Sequence, residues 1–240
     1  MSSALNLVFM PDGRVINETE QDPAIPRVTG HQRFWVAADL GQANDYSAVV
    51  VLKDEQLPTV DEHRVILGPR TRTVVYADRF RGVSYVDVVN HLVRLRNAPP
   101  FGGKSRLVID GTSIGRVVSD MLEGDGVPHT AVTMTAGQEW SKKTSRYVSA
   151  GKTLLVENLA VLFASGEIKF AQDLPLRGEI EDDLATFTTA TTAAGNQIIT
   201  QTRSASGHGD LGIALIVGAF ASQYLKAQRF ETRQLAGYWG

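Results

Sequence analysis

The sequence predicts a mixed α/β fold in which one central sheet is flanked by helices, and three observations predict it. Three apolar strand-like runs follow one another near the start, as in an antiparallel meander. The hydrophobic period then changes from two to about 3.6, the signature of helices. From there to the end, helical and strand-like segments alternate, which describes a sheet with helices packed on its faces.

The first strand is Phe34 to Asp39 (FWVAAD), followed by a turn over Leu40 to Asp45 and a second strand over Tyr46 to Lys53 (YSAVVVLK) at hairpin distance. Arg72 to Phe80 (RTVVYADRF) supplies the third. Ser84 to Arg96 reads as a helix with Val88, Leu92 and Leu95 on one face and Ser84 at its N-cap. Arg106 to Asp110 (RLVID) is a short buried strand, Ile114 to Leu122 a helix ending near Gly124 and Gly126, and Thr130 to Met134 another strand. Thr153 to Ser165 and Leu176 to Phe187 read as amphipathic helices, the second with Ile180, Leu184 and Phe187 on one face. Asn196 to Thr202 reads as a strand, and a long helix runs from Asp210 to Ala227. Residues 1–32, with Pro11, Pro23 and Pro26, form an irregular arm with a short hairpin around Asp12-Gly13. The domain proper spans 33–228 and a tail 229–240.

Length and composition bound the function. The 240 residues suit one domain, and 43% hydrophobic with 21% charged residues is ordinary for a water-soluble chain. There is no cysteine, which removes disulfides, thiolate metal sites and thiol nucleophiles, and fits a cytoplasmic setting, the host cytoplasm if the chain is viral. No basic leader precedes an apolar run at the start. The most apolar later stretch, Leu211 to Phe220, carries Gly212 and Gly218 and is far short of the about 20 residues a membrane helix needs. A net charge of −2 argues against coating nucleic acid through bulk positive charge, but not against holding it locally around an acidic centre.

Three aspartates are placed for chemistry. Asp39 ends the first strand, Asp110 ends the fourth, and Asp210 begins the last helix. In open α/β sheets, functional groups gather where loops leave the strand ends. Turn formation and helix capping explain any one such Asp, since the residue is favoured at both. Three on three separate elements suit two-metal phosphodiester hydrolysis better. In that chemistry two Mg²⁺ or Mn²⁺ ions about 4 Å apart activate water and stabilise the leaving oxygen. Hard cations want oxygen ligands and keep several waters, so three or four aspartates suffice.

The segment VAADLGQANDYSAVVVL resembles the opening strand pair of the nuclease domains of phage terminase large subunits, of the ribonuclease H-like superfamily. LVIDGTSIGRVVSDML resembles their second acidic strand, and SGHGDLGIALIVGAF the turn and helix that carry their last acid. AVTMTAGQEW and KTLLVENLAVLFASGEIKF are similar to the strand and helix between. The resemblance covers Phe34 to Leu225 and implies a ribonuclease H-like fold, with two divalent cations, Mg²⁺ or Mn²⁺, held by Asp39, Asp110 and Asp210. It also implies an auxiliary acid at Asp45 and a neighbouring His208 that contacts phosphate or orients Asp210, unless His208 is simply a polar turn residue. The implied activity is endonucleolytic cutting of concatemeric double-stranded DNA in viral genome packaging. The implied partners are that DNA, a packaging ATPase motor, a small terminase subunit and a portal; no membrane partner is expected.

The chain itself is not expected to bind ATP. Gly151-Lys152-Thr153 is the nearest approach to a phosphate loop, but position 146 is Arg where a glycine is needed, and KKTSRYVSA does not read as a buried strand. The motor is then another segment or another gene product. For the DNA backbone, Gln138 to Arg146 (QEWSKKTSR) offers Lys142, Lys143 and Arg146 in a loop expected beside the sheet's active edge, with Arg79, Arg81, Lys152 and Arg203 as further cations. An ordinary solvated charged loop is the competing reading. A Holliday-junction resolvase of the same fold, and a non-catalytic or sugar/ATP-binding module sharing the three-strand opening, are the alternative functions. Divalent-metal-dependent DNA cleavage excludes the module, and preference for linear duplex over a four-way junction excludes the resolvase.

Overall fold

A hairpin opens the chain: Leu7–Phe9 (β1) and Arg14–Asn17 (β2) pair antiparallel around a turn closed by Gly13 N–H donating to the Met10 carbonyl at 3.0 Å. The computed structural model describes residues 5–19, 27–42, 45–191, 197–202 and 209–225. The arm is more ordered than its prolines suggest, because β2 continues onto the sheet, with Arg14 opposite His31 and Val15 fully buried.

The meander is as expected but longer. Thr29–Asp39 (β3) and Tyr46–Gln56 (β4) pair antiparallel. After a separate small hairpin, Pro58–Asp61 (β5) with Arg64–Leu67 (β6), Thr71–Arg81 (β7) pairs with β4 across a bulge at Val51/Leu52. Residues 48–52 of β4 are all buried, as a strand covered on both faces requires. Tyr85–Asn97 (α1) starts where expected, with the Ser84 hydroxyl accepting the Asp87 amide at 3.2 Å. Ser105–Asp110 (β8), Ile114–Gly124 (α2) and His129–Thr135 (β9) follow, and β8 lies parallel to both β3 and β9.

Two local expectations are corrected. The run after Thr135 is not a loop: Trp140–Lys142 (β10) pairs antiparallel with Tyr147–Gly151 (β11), and β11 lies parallel to β9 with Val148, Ala150 and Gly151 buried. Its Ser and Ala have low strand propensity, and burial between neighbours overrides that preference. Position 146 is still Arg, so the strand does not restore a phosphate loop. Lys152–Ala164 (α3) leads to Ile168–Phe170 (β12), which adds in parallel to β7. Arg177–Ala185 (α4) then stops short of Phe187. There Phe187–Thr191 (β13), rich in β-branched threonine, leaves the helix to pair with Gln197–Gln201 (β14).

The main sheet runs β10-β11-β9-β8-β3-β4-β7-β12. Helices α1 and α2 cover one face over Phe34, Val36, Ala38, Leu107 and Ile109. The other face, with Trp35, Ala37, Val50 and Val108, is covered by Asp210–Tyr224 (α5), which α3 and α4 contact in turn. Every residue of α5 from Asp210 to Ser222 is buried, as a helix apolar all round demands. No helix among the described residues is long and apolar enough to cross a membrane.

Candidate active site

Asp39 and Asp110 are neighbours by register. Ala38 pairs with Ile109 across the parallel β3–β8 pair, so the next residue on each strand is an acid. Trp35 and Ala37 point toward α5, and side chains alternate along a strand, so Asp39 points the same way. Val108 fixes Asp110 on that face too. Helix α5 crosses the same face and begins at Asp210. The fold thus brings the three aspartates to one corner, at the C-terminal ends of the parallel strands.

The local chain is shaped to place them. The Thr112 amide donates to Asp110 Oδ1 at 2.9 Å and the Thr112 hydroxyl to Oδ2 at 2.8 Å, fixing the carboxylate's orientation. The turn from Asp110 into α2 holds Ser113 at φ 44°, a positive value rare outside glycine. A Cβ at Gly115 would collide with the Asp110 carbonyl oxygen, so only glycine lets α2 start so close to the strand end. Gly209 adopts φ 82°, and a Cβ there would strike the Gln201 amide nitrogen. Glycine at this position admits the sharp entry that delivers Asp210 to the corner.

Electrostatics mark the corner as a concentration of negative charge. Asp39 is pushed well above the ordinary carboxylate pKa, chiefly by burial and then by Asp110, Asp210 and Asp183, against the opposing Leu40 amide. Burial also raises Asp110, with the two Thr112 hydrogen bonds pulling the other way. Among the described residues, no group of three or more carboxylates or imidazoles is already gathered as a cage for a metal ion.

Asp183 is the acid that sequence reasoning missed. It is fully buried on α4, and its Oδ2 accepts the Leu211 amide at 3.0 Å and the Gly212 amide at 3.3 Å. These are first-turn donors of α5 that have no partner inside their own helix. Its Oδ1 has no hydrogen-bond partner among the described residues. The far end of α5 is held by a second unforeseen group. Buried Asp54 accepts Arg33 Nε at 2.8 Å and Arg70 Nε at 2.7 Å, and Arg70 Nη2 donates to the Ser222 carbonyl at 2.6 Å. Buried Arg72 donates to the Ser222 hydroxyl at 2.8 Å.

The remaining expected residues separate into two groups. Asp45 stands on the exposed lip of the acidic edge, three residues before Ala48, which pairs with Asp39. Beside it, Arg79 and Arg81 lie over the Tyr46 ring at 4.6 and 5.2 Å from its centre. Lys152, which follows the C-terminal end of β11, donates to the Gln201 side-chain Oε1 at 3.5 Å, and burial lowers its pKa. Lys142, Lys143 and Arg146 belong elsewhere. The β10–β11 turn sits at the N-terminal end of β11, and Arg146 pairs there with Glu123 at the end of α2. The expectation that this loop lies beside the acidic edge is corrected in part: Lys142, opposite Val148, is level with Asp110 but three strand steps from it, and the turn that follows heads toward the N-terminal end of β11. His208 and Arg203 lie outside the described residues.

The large terminase nuclease domain of Thermus phage P74-26 superposes with a TM-score of 0.53 at 23% identity, over 91% of this chain and 90% of that one. The large terminase nuclease of thermophilic phage G20c gives 0.51 at 24% identity, over 88% and 89%. The chain has the ribonuclease H-like fold of large terminase nucleases. The G20c nuclease solved with bound magnesium matches equally, with a TM-score of 0.51 at 22% identity over 86% of each chain. No family model matches the sequence, and no curated protein sequence matches it.

Proposed function

We propose that this chain is a divalent-metal-dependent endonuclease that cuts double-stranded DNA during viral genome packaging. The observation that carries the reading is the convergence of Asp39, Asp110 and Asp210 on one face at one sheet corner, within a fold shared with terminase nucleases. The donor set is entirely carboxylate, which suits Mg²⁺ or Mn²⁺, and the related G20c nuclease binds magnesium. Asp39, Asp110 and Asp210 would hold the cations, and Asp45 would assist from the lip. Two such ions would supply water activation and stabilisation of the leaving oxygen.

The chain's own residues supply the rest. Thr112 aims Asp110, and Asp183 holds the first turn of α5 so that Asp210 keeps its place. Arg79 and Arg81, with guanidinium groups steadied on Tyr46, would take backbone phosphates along the lip, and Lys152 would do so on the opposite flank. The cutting partner chains, on this reading, are a packaging ATPase, a small terminase subunit and a portal.

The test is incubation of the protein with linear duplex, supercoiled plasmid and a four-way junction, with Mg²⁺, with Mn²⁺ and with chelator. The reading expects metal-dependent cutting of plasmid and linear duplex without preference for the junction. Absence of cutting with either metal overturns it, and strong junction preference points to a resolvase instead.

A further inference from the structure

Asp183 carries more than a helix cap requires. Ile180 and Asp183 are the buried residues of α4, at i and i+3 on one face, and α4 packs on α5. The backbone of Asp183 is pinned there, its carbonyl accepting the Thr186 hydroxyl at 2.6 Å. Its side chain is closely packed as well, since a Cβ on Gly212 would come within 3.0 Å of the Asp183 Cβ. First-turn amides point out along the axis of their helix. The carboxyl that takes the Leu211 and Gly212 amides therefore stands at the tip of α5, beside Asp210.

Capping uses only half of this carboxylate. Oδ2 accepts both amides, while Oδ1 is buried and has no hydrogen-bond partner among the described residues. Burying a charge with an unmet oxygen is costly. Asparagine caps a helix as well as aspartate does and carries no such charge. The charge is also felt at the acidic corner, where Asp183 joins Asp110 and Asp210 in pushing Asp39 upward. A fixed, buried oxygen acceptor beside other carboxylates is suited to a hard divalent cation, which takes oxygen ligands and keeps several waters.

We propose that Asp183 is a fourth carboxylate of the cation site, with Oδ2 kept on the α5 amides and Oδ1 given to a cation directly or through one water. A single side chain then ties the seat of Asp210 to occupancy of the site. This role rests on the proposed nuclease reading for the cation itself.

The experiment uses the full chain and Mn²⁺ alone, without DNA. Mn²⁺ is titrated by calorimetry into the parent, into Asp183→Asn, and into Asp182→Asn, which removes an equal charge from the exposed neighbour. Asp182→Asn should bind like the parent. Asp183→Asn should bind about tenfold to a hundredfold more weakly, the usual loss when a group supporting a metal's ligands is removed. It should melt like the parent in chelator, because its amide oxygen still caps α5. Parent crystals soaked in Mn²⁺ locate the ion by anomalous scattering, and this arm decides even where the variant does not fold. The ion is expected within about 5 Å of Asp183 Oδ1, the span of one intervening water. An ion farther away, Asp183→Asn binding as tightly as the parent, or Asp182→Asn weakened equally overturns the role of Asp183 and leaves the nuclease reading standing. A parent that binds no Mn²⁺ overturns both.

Discussion

Asp183 Oδ2 accepts the Leu211 amide at 3.0 Å, so a carboxylate on α4 holds the first turn of the helix that presents Asp210. The same charge adds to the set that pushes Asp39 upward. Two substitutions separate these effects. Asp183→Ala removes the acceptor and should cost about 0.5–2 kcal/mol, the usual range for a lost helix cap. It should also cut less, because Asp210 loses its fixed entry. Asp183→Asn keeps an acceptor and loses the charge, so it should melt near the parent while the Asp39 pKa falls. Thermal melts and carboxyl titration by NMR distinguish the two; equal melting of both variants contradicts the capping role.

Stability should respond to pH in two opposite senses. Asp54 is depressed by Arg70, His31 and Arg33 despite its burial, so its contribution is present above its unfolded value near 3.8 and is lost as pH falls below that. Asp39 is raised, so the folded protein holds a proton that the unfolded chain releases, and stability drains as pH climbs from 3.8 through the folded value. Bound Mg²⁺ or Mn²⁺ takes the place of that proton. The rise in melting temperature on adding metal should therefore be larger at about pH 8 than at about pH 5. A metal effect that shrinks with rising pH contradicts the assignment.

Asp54 itself belongs to the frame and not to the chemistry. Asp54→Asn leaves Arg33 and Arg70 without their buried counter-charge and should cost about 3–5 kcal/mol, the range for breaking one side of a buried pair. Chemical denaturation measures this directly. The loss should be the same with and without Mg²⁺, since the residue stands at the far end of α5 from the acids.

Arg79 and Arg81 should act on DNA and not on folding. Replacing each by Gln removes a cation from the acidic lip, so the slope of log affinity against log salt should flatten by about one per residue. Stability should change by only about 0.5–1 kcal/mol, the worth of an exposed cation–π contact. Lys142→Gln/Lys143→Gln should leave the duplex salt slope unchanged, because that turn lies at the far edge. Binding isotherms on a short duplex in chelator decide between them.

Much of the fold was legible because β3, β4 and β8 are covered on both faces and so read as continuous apolar runs. An acid closing such a run, as Asp39 and Asp110 do, is conspicuous for the same reason. Asp183 was not legible. It stands in the run Glu179–Ile180–Glu181–Asp182–Asp183, which has the look of a solvated helix face, and its burial comes from α4 packing on the start of α5. Asp54, in Lys53–Asp54–Glu55, is hidden in the same way, since its partners Arg33 and Arg70 are distant in sequence. The side of the sheet reached by the Lys142–Arg146 turn depends on β11 lying parallel to β9, a pairing no local period encodes.

Nicking of supercoiled plasmid in Mn²⁺ by the parent chain and by Asp39→Asn tests the acidic metal site most directly. The carboxylate lost in that variant is the one flanked by both other acids, and amide oxygen is a poor replacement for a charged ligand. Melting of the metal-free variant checks that it is folded, and relief of repulsion should leave it as stable as the parent or more so. The predicted result is an intact, stable Asp39→Asn protein with no measurable nicking and no thermal response to metal. Near-normal nicking by that protein would contradict the central claim.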